Sequence, residues 1–132
     1  MIVLRRRHKM NINERILNDV TIMDLDGDLA MEGNTQFRSR ANTAIDAGAR
    51  KLLVNMAKVP YMDSSGLGEI ISCYMRLQKV NGRLKLLNLN NRLQHLLVIT
   101  KLVSIFETYD SEPEAVVSFD HPSQPVTQLA EK

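Results

Sequence analysis

Lys51-Leu52-Leu53-Val54-Asn55-Met56-Ala57 is a short, nearly continuous apolar run. A strand covered on both faces has this composition, and such strands sit centrally in parallel sheets flanked by helices. Pro60 breaks the run, and Tyr61-Met62-Asp63-Ser64-Ser65-Gly66-Leu67-Gly68 follows. Leu67, Ile70, Ile71, Tyr74 and Leu77 then recur at helical spacing. The pattern predicts a helix from about Ser65 to Val80, stopped by Asn81-Gly82.

The same reading extends outward from this strand–loop–helix unit. Upstream, Arg15 to Leu17 and Val20 to Leu25 read as two strands joined by a short turn at Asn18-Asp19. In the second, Val20, Ile22 and Asp24 point one way and Thr21, Met23 and Leu25 the other. Asp26-Gly27-Asp28 supplies turn chemistry at its end. A helix is predicted over Thr35 to Ala47, with Asn34 as N-cap and Gly48 at C′. Phe37, Ala41, Ala44 and Ile45 form its apolar face. Downstream, Arg83 to Leu89 is a strand. Asn90 caps a helix over Asn91 to about Ile99, in which Leu93, Leu96, Leu97 and Thr100 share a face. Val103 to Tyr109 is a further strand, and Glu112 to Phe119 a short last helix with Pro113 in its first turn. The order β-β-α-β-α-β-α-β-α predicts an α/β fold: a mixed, mainly parallel sheet with four helices packed against it.

Composition narrows the function classes. The chain has 132 residues and a formal net charge of +2, the size of one domain. No apolar run approaches the ~20 residues that span a bilayer. Cys73 is the one cysteine, which excludes an internal disulfide and a cysteine-based zinc cluster. Aromatics make up 5% with no Trp, which argues against a base-stacking nucleic-acid platform. The charge is segregated. Residues 1–10 carry four Lys+Arg and no acid, while the other 122 hold 13 Lys+Arg and 15 Asp+Glu, a charge of −2. The first decade therefore reads as a basic extension, and residues 120–132 as a polar, disordered tail. The start is not a signal peptide, because Arg5-Arg6-Arg7 follow only four apolar residues, and the expected location is cytoplasmic.

The segment Asp63–Gly68 carries the chemistry. Asp63, Ser64 and Ser65 can each cap the following helix. Gly66 and Gly68 fall in its first turn, at a cost of about 1 kcal/mol each relative to Ala. Either a partner approaches this backbone closely or the helix packs tightly on the sheet. The enzyme motifs fail here. Met62 and Asp63 stand where a nucleophile elbow needs glycine. No Lys follows the glycines as a P-loop requires. A dinucleotide fingerprint lacks its third glycine, at Ile71, and its acid about 20 residues on. His8, His95 and His121 have no metal-ligand spacing. Asp24, Asp26 and Asp28 begin like a calcium loop, but Leu29-Ala30 breaks the spacing and Thr35 stands where the loop needs Glu. Cys73 and the methionines read as core fillers. No cofactor and no metal are expected.

Tyr61-Met62-Asp63-Ser64-Ser65-Gly66-Leu67-Gly68 resembles the signature loop of bacterial anti-sigma factor antagonists, the STAS-domain proteins. The resemblance spans residues 11–119. It includes Gly27-Asp28-Leu29 after the second strand and Lys101-Leu102-Val103-Ser104-Ile105-Phe106 before the last. It implies a non-enzymatic phosphoprotein that acts by partner switching and does not itself bind DNA. The unphosphorylated form would bind an anti-sigma factor that is also a serine kinase, freeing a sigma factor. Phosphorylation at Ser64, or less favourably at Ser65, would end that binding, and a PP2C-type phosphatase would restore it. Asp63, Ser64, Ser65, Gly66, Leu67, Gly68 and Asp28 are the partner-binding residues so implied. Ala30 departs from the pattern, since the family commonly has an acid there, on a surface expected to face the partner. Two alternatives stand beside this reading: a STAS scaffold subunit of a stress-sensing or lipid-transport complex, and a small nucleotide-binding or hydrolytic enzyme using the Asp63–Gly68 loop.

Overall fold

The computed structural model describes residues 10–30 and 35–121. Five strands form one sheet in the order β1-β2-β3-β4-β5: β1 (Asn11–Leu17), β2 (Val20–Asp26), β3 (Lys51–Lys58), β4 (Arg83–Leu87) and β5 (Glu107–Tyr109). β1 and β2 are antiparallel, and every later pairing is parallel. The two-residue turn between β1 and β2 uses Asn18 and Asp19 at positive φ, the conformation that hairpin turns of this length demand. The parallel steps are made by α1 (Thr35–Asp46), α2 (Ser64–Lys79) and α3 (Asn91–Ile99).

The two faces of the sheet have separate cores. Met23, Leu25, Leu52, Val54, Leu84 and Leu86 pack under Phe37, Ala41 and Ile45 of α1, Leu67, Ile70 and Leu77 of α2, and Leu93 and Leu97 of α3. On the other face Val20, Ile22, Leu53 and Leu87 pack against Ala115, Val116 and Phe119 at α4 (Glu112–Ser118), with Tyr109 of β5 beside them. β3 contributes Leu52 and Val54 to one core and Leu53 to the other, which explains its unbroken apolar run. Thus Val20 and Ile22 do point opposite to Met23 and Leu25.

Polar links fasten α4 to its face. Arg15 of β1 donates to both Asp24, from Nε at 2.7 Å, and Glu112 at the start of α4, from Nη2 at 2.7 Å. Lys85 of β4 is only 2% exposed. Its ammonium donates to the Ser118 carbonyl at 3.1 Å and hydroxyl at 2.8 Å, and meets Glu107 at 3.1 Å. It also lies over the Phe119 and Tyr109 rings. Burial pushes its pKa down.

Several sequence expectations need correction. β1 begins at Asn11 rather than Arg15, and β4 ends at Leu87. The strand expected over Val103 to Tyr109 is reduced to Glu107–Tyr109, because Leu102–Ser104 forms a 3-10 turn entered through Lys101 at φ 62. Val103 and Ile105 are therefore exposed rather than part of the sheet. Met10, Met23, Met56 and Met62 are core residues, but Met75 is 54% exposed. Gly48 follows α1 at φ 109, as a C′ glycine does. The Asn34 cap, the basic extension up to residue 9 and the tail from 122 lie outside the described residues.

Candidate functional site

The loop between β3 and α2 is stitched from one side by the backbone of the β2–α1 loop. The Gly27 amide donates to the Lys58 carbonyl at 3.0 Å, and the Leu29 amide to the Tyr61 carbonyl at 3.0 Å. The Leu29 carbonyl accepts the Asp63 amide at 3.2 Å, and Leu29 and Met62 form an isolated parallel bridge. The structure thereby brings Asp28 of Gly27-Asp28-Leu29 to the same end of the sheet as Asp63 and Ser64.

Asp63 is the N-cap of α2. Its backbone is extended, and its side-chain Oδ1 accepts the Gly66 amide at 2.9 Å. Asp63 thus takes the capping role open to all three residues in sequence, and α2 starts at Ser64 rather than Ser65. Freed from capping, the Ser64 side chain is exposed at the first helical position, and Ser65 is half-buried. The helix dipole places partial positive charge at this end, while the Asp63 carboxylate opposes it.

The two glycines have different reasons to be there. A Cβ on Gly66 would meet the Leu29 carbonyl carbon at 2.6 Å and its oxygen closer still. Gly66 is therefore required by chain packing. A Cβ on Gly68 would meet nothing within 4 Å, and Gly68 is exposed. Of the implied partner-binding residues, Leu67 is 6% exposed and belongs to the core, and Gly66 is buried as well. Asp63, Ser64, Ser65, Gly68 and Asp28 reach the surface. Ala30, expected on a partner-facing surface, is buried at 2%.

Two neighbours escaped the sequence reading. Glu69, on the next turn of α2, is half-buried with Oε1 enclosed and, among the described residues, without a hydrogen-bond partner. Burial pushes its carboxyl upward, partly offset by the backbone amide of Arg38 in α1. Asn90, read only as a helix cap, also reaches across to the loop, donating from Nδ2 to the carbonyls of Val59 at 3.3 Å and Pro60 at 3.4 Å. The Gly-x-Gly spacing hinted at close approach near Glu69, but neither contact has a sequence signature.

Other candidates resolve as structure. Asp24 accepts from Arg15, Asn55 at 2.8 Å and Asn13 at 3.3 Å, so it is tied into the sheet. His95 is exposed on α3, and Cys73 is buried with its thiol pushed up to about 12 by desolvation. Among the described residues no three His, Cys, Asp or Glu side chains cluster as a metal site, and no helix is long and apolar enough to cross a membrane.

Comparison with known proteins points the same way as this geometry. The anti-sigma-B factor antagonist of Bacillus subtilis is 33% identical over 101 residues, covering 74% of this chain and 91% of that one. The anti-sigma F factor antagonist of Paenibacillus polymyxa is 26% identical over 102 residues, covering 76% and 87%. Among solved structures, the Bacillus cell fate determinant SpoIIAA in its phosphorylated form superimposes with a TM-score of 0.66 at 25% identity, covering 83% of this chain and 98% of that one. The STAS domain family matches residues 11–115, which include every strand, α1 to α3 and the Asp63–Gly68 loop. This chain belongs to the STAS domain family, among relatives named anti-sigma factor antagonists.

Proposed function

We propose that this protein is an anti-sigma factor antagonist switched by phosphorylation at Ser64. In the unphosphorylated form it binds an anti-sigma factor with serine-kinase activity, and a sigma factor is released. The phosphorylated form lets go, and a PP2C-type phosphatase restores binding. The protein acts by binding rather than by catalysis.

The observation that carries the reading is the division of labour at the start of α2. Asp63 caps the helix, so the exposed Ser64 hydroxyl is spared for modification. A phosphate adds a charge of about −1.5 to −2 and three acceptor oxygens. The helix N-terminus favours that charge and Asp63 repels it, so the fold should change little. At an interface the balance differs, because burying a dianion beside Asp63 without a waiting cation is costly. About 4 kcal/mol suffices to weaken a complex a thousandfold. The relatives' names and the SpoIIAA structures in phosphorylated and unphosphorylated forms support this assignment.

The test is binding of Ser64→Ala and Ser64→Asp to the cognate anti-sigma factor by calorimetry, with mass-spectrometric mapping after incubation with that kinase and ATP. Ser64→Ala should bind and resist labelling, and Ser64→Asp should bind far more weakly. Equal binding by both variants, or full labelling of Ser64→Ala, refutes the assignment.

A further inference from the structure

The β3–α2 loop is held on two sides by different means. On the β2–α1 side, backbone groups of Gly27 and Leu29 hold it. On the β4–α3 side a side chain does so: the Asn90 amide donates to the Val59 and Pro60 carbonyls at 3.3 and 3.4 Å. The same side chain accepts the Leu93 amide on Oδ1 at 2.8 Å, as the N-cap of α3. Because that contact requires an acceptor, it fixes which end of the amide faces the loop. Asn90 thus serves α3 with its oxygen and the Ser64 loop with its nitrogen.

We infer that Asn90 is a positioning residue for Ser64: it couples the start of α3 to the loop that presents the serine. The inference rests on the proposed switch for its functional meaning, but its structural half stands apart. Asp and Ser can replace the capping oxygen, but neither supplies the amide donor at the same reach. Asn90 is exposed, so such changes leave the core untouched. Loss of the contact would free the carbonyls of Val59 and Pro60 and loosen the approach to Asp63. The amides of Asp63 and Gly66 report on that approach through their bonds to the Leu29 carbonyl and the Asp63 carboxylate.

The test compares the full chain with Asn90→Ser and Asn90→Asp by residue-resolved amide hydrogen exchange, and then by Ser64 phosphorylation kinetics with the serine kinase and ATP. The Asp63 and Gly66 amides should exchange roughly fivefold faster in both variants, the scale of one ordinary hydrogen bond, with Leu93 and β3 unchanged. Labelling of Ser64 should lose about the same factor in kcat/KM. Unchanged Asp63 and Gly66 rates, or an equal rise at every amide including β3, overturns the inference. If the kinase leaves Ser64 unlabelled in the unaltered chain, the switch fails, and the exchange rates still decide whether Asn90 positions the loop.

Discussion

The Leu29 carbonyl accepts the amide of Asp63 and lies against the backbone of Gly66, so close that a methyl group on Gly66 would overlap it. One peptide group of the β2–α1 loop thereby sets both the cap of α2 and the identity of a residue in its first turn. Close packing leaves no room for a Cβ unless the loop moves.

The contrast with Gly68 makes this measurable. Gly66→Ala should destabilise the chain by about 1–3 kcal/mol, the range for overpacking a tight contact. Gly68→Ala should stabilise it by up to about 1 kcal/mol, since the Cβ meets open space and helix propensity improves. Urea denaturation of both variants checks the pair, and equal effects would sink the distinction.

Asp24 should make the fold sensitive to acid. Hydrogen bonds from Arg15 hold its carboxyl below the usual aspartate range, with further lowering from Asn55 and Asn13 and an opposing contribution from desolvation. The folded pKa lies below the unfolded one, so the unfolded state binds more protons in between. The stabilisation is therefore full above about pH 4 and is lost as pH falls through the folded value. Asp24→Asn should cost about 1–3 kcal/mol at neutral pH and progressively less below pH 4, read from denaturant midpoints across pH. A pH-independent cost contradicts the ion-pair account.

Lys85 fills space as well as carrying charge. Its stem and ammonium occupy the gap between β4, the Phe119 ring and the end of α4. Lys85→Ala should be worse than Lys85→Met by about 2 kcal/mol, because only the second keeps the volume filled. Exchange of the Ala115 and Val116 amides should rise more in the alanine variant. Equal costs in the two variants would show that the lost charge rather than packing governs α4.

Cys73 should be inert in the native state. Its thiol is buried and pushed up to about 12, mainly by desolvation, so almost no thiolate exists at pH 8. A thiol reagent such as Ellman's reagent should label it rapidly in urea and only at the rate of unfolding in buffer. Fast labelling of the folded chain would place Cys73 at the surface.

Much of the fold can be read from periodicity. The unbroken apolar run of β3, the alternation in β2 and the 3.6-residue spacing of α2 record how many faces of each element are buried, and burial is the dominant favourable force. The last strand resisted such reading. Val103-Ser104-Ile105-Phe106 alternates like a strand, yet Lys101 at positive φ turns the chain into a 3-10 turn, and only Phe106 reaches the core. Short apolar stretches leave both outcomes open until the rest of the sheet is in place.

The candidate site divides in the same way. Sequence alone determined that Asp63 to Gly68 joins a buried strand to a helix, and that Asp63, Ser64 or Ser65 would cap it. These are local matters, settled by side-chain type and spacing within a few residues. Tertiary structure decided that Asp63 is the cap, that Ser64 is left exposed, and that Leu67 and Ala30 turn inward. It alone brought the Leu29 carbonyl against Gly66 and the Asn90 amide onto Val59 and Pro60. The physical reason is that these contacts are made by backbone groups, which every residue carries, or by one amide with two functions. Which of them meet depends on the order and packing of strands that are distant in sequence.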